Sequence, residues 1–278
     1  LNKSVLAVIR WGVGYDNVDV RGATGEGVIA CVVPNYLVRE SVAEFTVALI
    51  LASLRRVTLA HNFVKANLRF GRPTYLIGED LRDKVIGVIG LGNIGSRVVE
   101  LLKAFNVKQI FVYDPYVHPE IIRAYGAYPA HIDDLITKAD IITIHAPLTT
   151  ETYHIINKDR LARMKKGVYI INTSRGGLID TEALIWALRE GIVGFAALDV
   201  IEGEPESPYL SELLKLDNVI ITPHIASGSV ECYRSMDEAT ALDAVRVISG
   251  ERPVGILNPE VLKSPNLRLR SRGIPLKY

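Results

Sequence analysis

Arg175, Asp199, Glu204 and His224 are the residues of this sequence best placed to do chemistry together, and each follows closely on an apolar run. Residues 168–172 lead into Thr173-Ser174-Arg175-Gly176-Gly177. Residues 196–200 lead into Ile201-Glu202-Gly203-Glu204-Pro205, and residues 219–222 into Pro223-His224-Ile225-Ala226-Ser227. A histidine titrates near neutrality, so it can hand a proton to an oxygen or take one from it. A carboxylate beside the ring keeps it protonated and oriented. Glu202 and Glu204 are both within reach of that task by spacing. Asp199 either braces its own loop or faces a ligand. An arginine offers a planar fork that grips a carboxylate and polarises a carbonyl. Such a set suits the reduction of a ketone that carries a carboxylate, with hydride arriving at carbon and a proton at oxygen.

A hydride source is written in residues 84–95, KVIGVIGLGNIG. An apolar run enters a glycine turn, a helix follows, and a second run, QIFVYDP, ends in Asp114. That is the dinucleotide-binding pattern in its required context. Gly90 makes the tight turn, Gly92 admits a pyrophosphate, and Gly95 lets the helix pack close. Asn93 and Ile94 open the helix and offer backbone N–H groups to phosphate. Asp114 lies where a carboxylate bonds ribose hydroxyls and repels a 2′-phosphate, so NAD is favoured over NADP.

Elements must carry these residues to one place. Apolar runs predict strands over 5–9, 27–33, 85–90, 110–113, 141–145, 167–172, 196–200 and 219–222. Helices are predicted over 41–55, 58–69, 94–104, 132–138, 181–190 and 230–249, the first capped by Ser41 with Glu44 three residues on. Alternating strands and helices imply an α/β fold with a doubly wound parallel sheet. In such sheets ligands bind at the carboxyl ends of the strands. The glycine pattern begins at residue 90, so a second, smaller domain precedes it. The expected division is 1–57 for a substrate (catalytic) domain, 58–250 for the NAD-binding domain, and 251–278 for a return to the first domain with a tail. The tail, 263–278, carries Lys263, Arg268, Arg270, Arg272 and Lys277 and reads as a solvated or loosely packed strip.

Composition sets limits. The 278 residues are 49% hydrophobic and 23% charged, with a net charge of +1, which gives no case for nucleic acid or an acidic partner. The longest apolar run, 45–54, is interrupted by Thr46 and Ser53 and is too short for a bilayer. It reads as a buried helix, with no membrane partner expected. Cys31 and Cys232 have neither metal nor redox spacing, which predicts reduced core thiols and a cytoplasmic setting. No metal is expected. His145 also ends a predicted strand and is read as lining the nucleotide phosphates or packing there. His61, His118, His131 and His154 show no partner pattern and are read as surface residues.

Five blocks, in order, carry a resemblance: RWGVGYDNVDV, SVAEFTVALIL, GVIGLGNIG with VYDP, INTSRGGLID, and ALDVIEGEP with TPHIAS. Together they resemble the D-isomer-specific 2-hydroxyacid dehydrogenases, the group of D-3-phosphoglycerate dehydrogenase and glyoxylate and hydroxypyruvate reductases. The resemblance implies a Rossmann NAD domain beside a partial, flavodoxin-like substrate domain whose opening segment is missing. It implies NAD as cofactor, a small 2-hydroxy or 2-keto acid as substrate, and a homodimer joined through residues 58–78. His224 would be the proton donor in reduction, and Glu204 rather than Glu202 its partner. Arg175 would bind the substrate carboxylate and carbonyl and touch the cofactor. Asp199 would bond the nicotinamide carboxamide, while Ala146, Thr173 and Ser174 would line the cofactor groove. Trp11 and Gly12 would meet the substrate carboxylate and Val13 the nicotinamide, with Trp11 at a position often small in this family. A non-catalytic, NAD(H)-sensing interaction protein of the corepressor-like branch is the alternative.

Overall fold

The computed structural model describes Asn2, residues 4–68 and residues 70–277. Arg69, at the end of the expected 58–69 helix, and Tyr278, at the end of the tail, lie outside the described residues. The chain divides into two compact units, Leu1–Arg39 with Ser227–Tyr278, and Glu40–Ala226. The first opens with strand β1 (Ala7–Arg10), helix α1 (Val20–Gly25) and strand β2 (Ile29–Val32). The strands pair in parallel, Ala7 opposite Ile29 through Arg10 opposite Val32. Asp19 caps α1 by accepting from the Gly22 amide.

The second unit begins with α2 (Arg39–Leu54) and α3 (Val57–Asn67). Ser41 lies inside α2 and is not its cap, because the helix starts two residues earlier with Glu40 in its first turn, where a carboxylate complements the helix dipole. As expected for residues 45–54, α2 buries Val47, Leu49, Ile50 and Leu54. Then follow β3 (Val85–Ile89), α4 (Asn93–Lys103), β4 (Gln109–Tyr113), α5 (Pro119–Ala124), β5 (Tyr128–Pro129), α6 (Ile132–Lys138) and β6 (Ile141–Ile144). After them come α7 (Lys158–Ala162), β7 (Val168–Asn172), α8 (Thr181–Arg189), β8 (Val193–Leu198), α9 (Leu210–Leu213) and β9 (Val219–Ile221). All seven strands are parallel, in the order β5-β4-β3-β6-β7-β8-β9. Every residue of β6 and β7 is buried, as continuous apolar runs covered on both faces require. The chain reverses direction of growth at β3, and β3 and β6 are neighbours there, which is the switch point where such sheets open a crevice.

The return to the first unit is α10 (Val230–Ile248), capped by Ser229, and the short α11 (Arg268–Ser271). The units therefore meet the chain at 39/40 and 226/227 rather than at 57/58 and 250/251. The reason is local. Asp243 of α10 is buried and accepts from the Val254 and Gly255 amides, while Gly255 in turn accepts from Val32 of β2. The helix thus closes the small sheet it would not be assigned to by position alone. The tail also differs from a loose basic strip. Leu267 and Leu269 are buried, and the Arg268 side chain donates to the carbonyls of Glu26, Asn2 and Val5 and pairs with the Glu26 carboxylate at 2.7 Å. Its charge is met inside the unit, while Lys263, Arg270, Arg272 and Lys277 remain exposed. Among the described residues, no helix is long and apolar enough to cross a membrane.

Candidate active site

The glycine turn after β3 is shaped by contact. Gly90 has φ +93°, and a Cβ there would stand 2.8 Å from the His145 and Ala146 backbone. A Cβ on Gly95 would stand 2.0 Å from the Gly90 carbonyl oxygen, so α4 packs directly on the turn. At Gly92 a Cβ would meet nothing within 4 Å. That glycine faces open space, which a side chain would fill. Gly92 is also the N-cap of α4 and offers no side-chain cap to the amides that follow at Asn93 and Ile94, and such amides attract phosphate oxygens. Asp114, at the end of β4, accepts from the Leu91 amide at 2.8 Å and from the Tyr116 amide at 2.9 Å. Each oxygen keeps a lone pair for a ribose hydroxyl. These features fit a dinucleotide.

His224 sits after β9 in the left-handed region, φ +56°, and the reason is Asp199. That carboxylate directly follows β8 and is 1% exposed. It accepts from the Thr222 hydroxyl at 2.6 Å and from the Ile225 and Ala226 amides at 3.0 and 2.8 Å. The His224 amide donates to the Asp199 carbonyl as well. Three hydrogen bonds thus spend the Asp199 carboxylate on the histidine loop, the bracing role, rather than leaving it turned to a ligand. So fixed, the His224 Nδ1 meets Glu204 Oε1 at 2.7 Å. The Glu204 carboxylate, by hydrogen bond and charge, raises the His224 pKa against the cost of burial, and the nearby Arg175 guanidinium opposes the shift. His224 and Glu204 are both partly open to solvent. Of the two glutamates, Glu202 has another partner.

That partner is His154, and it corrects the reading of His154 as a surface residue. Its Nε2 lies 2.7 Å from Glu202 Oε1, its ring stacks on Tyr153 at 4.0 Å, and Glu202 also accepts from the Thr181 amide. The sequence separation of 48 residues hides this pair.

Between the turn and His224 lies the loop after β7. Asn172, the buried last residue of β7, accepts from the Ser174 amide and donates to the Arg175 carbonyl. It sets the Arg175 backbone, a role the sequence signals only by a polar residue closing an apolar strand. The Ser174 hydroxyl donates to the Ala146 carbonyl at 2.7 Å, tying this loop to the one after β6. Thr173 is buried and shares a hydrogen bond with Thr46 of α2 at 2.9 Å. His145, also after β6, meets the Thr143 hydroxyl at 2.9 Å, and burial pushes its pKa down to about 3. Its ring is therefore neutral at physiological pH. One unit therefore gathers Gly90, Gly92, Asn93, Ile94, Gly95, Asp114, Ala146, Thr173, Ser174, Arg175, Asp199, Glu204 and His224.

Trp11, Gly12 and Val13 belong to the other unit. Gly12 has φ +140°. The Trp11 indole is locked, donating to Asp237 of α10 at 2.8 Å and meeting Tyr233 edge-on at 5.0 Å.

Comparison with known proteins agrees with this geometry. Residues 47–226 match the D-isomer specific 2-hydroxyacid dehydrogenase, NAD binding domain. A glyoxylate reductase of Thermofilum pendens is 43% identical over 91% of this chain and 75% of that protein. A D-3-phosphoglycerate dehydrogenase of Methanocaldococcus jannaschii is 42% identical over 90% of this chain and 47% of that protein. Among solved structures, D-lactate dehydrogenase from Aquifex aeolicus, complexed with NAD and lactic acid, is similar at a TM-score of 0.81 with 34% identity, covering 88% of this chain and 77% of that one. These relatives are named as enzymes, and nothing in them supports the alternative of a non-catalytic sensor.

Proposed function

The chain belongs to the D-isomer-specific 2-hydroxyacid dehydrogenases, which interconvert a 2-hydroxy acid and its 2-keto acid with NAD, and on that premise we propose that His224, Glu204 and Arg175 carry the chemistry and that glyoxylate or a similarly small 2-keto acid is the substrate. The observation that carries this reading is the 2.7 Å contact of His224 Nδ1 with Glu204. With Nδ1 turned to the carboxylate, Nε2 is the nitrogen left to exchange a proton with substrate. Bound in the crevice, the nicotinamide would supply a hydride acceptor for oxidation and, when reduced, a hydride donor for reduction. In reduction the imidazolium gives its Nε2 proton to the developing alkoxide oxygen, and in oxidation the neutral ring takes that proton back. Glu204 stabilises the imidazolium in either direction. Arg175, its backbone set by Asn172, grips the substrate carboxylate with its guanidinium. Gly92, Asn93 and Ile94 would hold the pyrophosphate, Asp114 the ribose, and Ala146, Thr173 and Ser174 the groove between them. Asp199 holds the loop that aims His224.

As the resemblance implies, Trp11 and Gly12 would meet the substrate carboxylate and Val13 the nicotinamide. A tryptophan at a position often small in this family supports glyoxylate over bulkier keto acids. The names of the relatives support it too. The test is loss of NADH absorbance with glyoxylate, hydroxypyruvate, pyruvate and phosphohydroxypyruvate. Glyoxylate should give the highest kcat/KM, and no turnover with any of the four would contradict the proposal.

A homodimer completes the reading. Leu68, Phe70, Tyr75 and Ile77 are exposed by 90%, 94%, 60% and 68%, and clustered apolar exposure of this kind marks a contact surface. Light scattering should give twice the chain mass, and a monomer at working concentration would contradict it. The cytoplasm suits two buried cysteines, of which Cys31 has its thiol pKa pushed up to about 12 by burial.

A further inference from the structure

In the second unit's sheet, β3 lies between β4 and β6. A bond that joins the loop after β4 to the loop after β6 therefore links the segments that follow the two strands flanking β3 and its glycine turn. Tyr116 and Glu151 make such a bond, the tyrosine hydroxyl donating to Glu151 Oε2 at 2.6 Å. The other end of the tyrosine is tied as well. Its amide donates to Asp114 Oδ1, and Asp114 Oδ2 accepts from the Leu91 amide in the turn itself. A continuous hydrogen-bonded path thus runs from the glycine turn through Asp114 and Tyr116 to Glu151.

Packing does not explain the path. Tyr116 is 80% exposed, so the two bonds, and no core, hold it. The Glu151 carboxylate also raises the Tyr116 pKa, which keeps the hydroxyl a donor. Among the described residues, Asp114 accepts from the Leu91 and Tyr116 amides and Glu151 from the Tyr116 hydroxyl, with no cation among these partners. Two carboxylates therefore stand on the side of the crevice that Asp114 marks for the ribose. A 2′-phosphate brought there meets both charges, whereas a 2′-hydroxyl meets acceptors.

We propose that Tyr116 and Glu151 clasp the adenosine end of the dinucleotide site, and that Glu151, together with Asp114, sets the preference for a nucleotide without a 2′-phosphate. This rests on the glycine crevice being the nucleotide site. The clasp and the charge are separable. Tyr116→Phe removes the bond and keeps the charge, while Glu151→Gln removes the charge and keeps an acceptor for the tyrosine.

The test is equilibrium binding of NADH and NADPH by isothermal titration calorimetry, with no keto acid present. Glu151→Gln should tighten NADPH by roughly 3- to 10-fold at low salt, with the gain shrinking as salt screens the pair. Its NADH affinity should stay within about twofold of wild type, since the amide still accepts the tyrosine bond. Tyr116→Phe should weaken both nucleotides by one common factor, about two- to tenfold, leaving their ratio unchanged. Unaltered melting temperatures of the unliganded variants confirm that they fold. If wild type binds NADH and Glu151→Gln leaves the NADPH-to-NADH ratio unmoved, the clasp is overturned and the site stands. If wild type binds neither nucleotide, the site falls and the clasp with it.

Discussion

Two histidines stand at strand ends of one parallel sheet, and their surroundings fit them for opposite tasks. His224, after β9, is partly open to solvent and has Glu204 at 2.7 Å, so its pKa is raised. His145, after β6, has the Thr143 hydroxyl beside its Nε2, and burial pushes its pKa down to about 3. Both occupy the position where such sheets place ligands. Position at a strand end therefore does not make a histidine an acid. A carboxylate partner and access to water do, because the proton needs both a stabilised site and a route.

That contrast can be broken at either member. The largest effect is expected at His224. His224→Ala should lower kcat for keto-acid reduction by about 10²–10⁴-fold, with NADH affinity little changed, as read by steady-state turnover beside a binding titration. An equal loss from His145→Asn, with NADH binding intact, would erase the distinction. Next is Arg175→Lys, which keeps the charge and loses the fork. It should lower kcat/KM for the keto acid by roughly 10- to 100-fold, mainly through KM, as seen in saturation curves.

A smaller effect separates the histidines by stability. His145 is neutral in the native protein, whereas in the unfolded chain it protonates below about pH 6.5. Between that pH and about 3 the unfolded state binds a proton that the native state refuses, so stability falls as pH falls through this window. The loss by pH 4 should be about 1–3 kcal/mol. Urea melts at pH 7 and pH 4 should show a smaller difference for His145→Asn than for wild type. A difference as large in the variant would mean that His145 is not the proton site. His224 has the opposite sign. Its raised pKa contributes stability that is present at low pH and fades as pH rises through the folded value.

Much of this arrangement was legible in sequence because it rests on local rules. The α4 turn needed Gly90, Gly92 and Gly95 in their order, and Asp114 had to end the next strand. The helix expected over 132–138 matches α6 to the residue, and the strand expected over 167–172 matches β7 to within one residue, since apolar runs bounded by charge and glycine define them. What escaped depends on contacts between distant residues. His154 and Glu202 pair across 48 positions, and Arg268 reaches the carbonyls of Asn2 and Val5. The short elements α1, α5, α7, α9 and β5 have too few residues for periodicity to speak. The domain limits moved because α10 packs by tertiary contact on β1, not by sequence neighbourhood. Within the site, strand-end position singled out Glu202 and Glu204 alike, and only the fold shows which carboxylate meets His224.

That pairing is tested most directly by the pH dependence of kcat/KM for glyoxylate reduction in wild type and Glu204→Gln. Reduction needs the imidazolium, and the hydrogen bond to the Glu204 carboxylate is the main reason its pKa is raised, with the carboxylate's charge adding to it. Without that charge the alkaline fall in rate should begin at lower pH, and the onset of the reverse oxidation should move the same way. A variant whose two profiles overlay those of wild type would contradict the assignment of Glu204 and His224 as the acid–base pair.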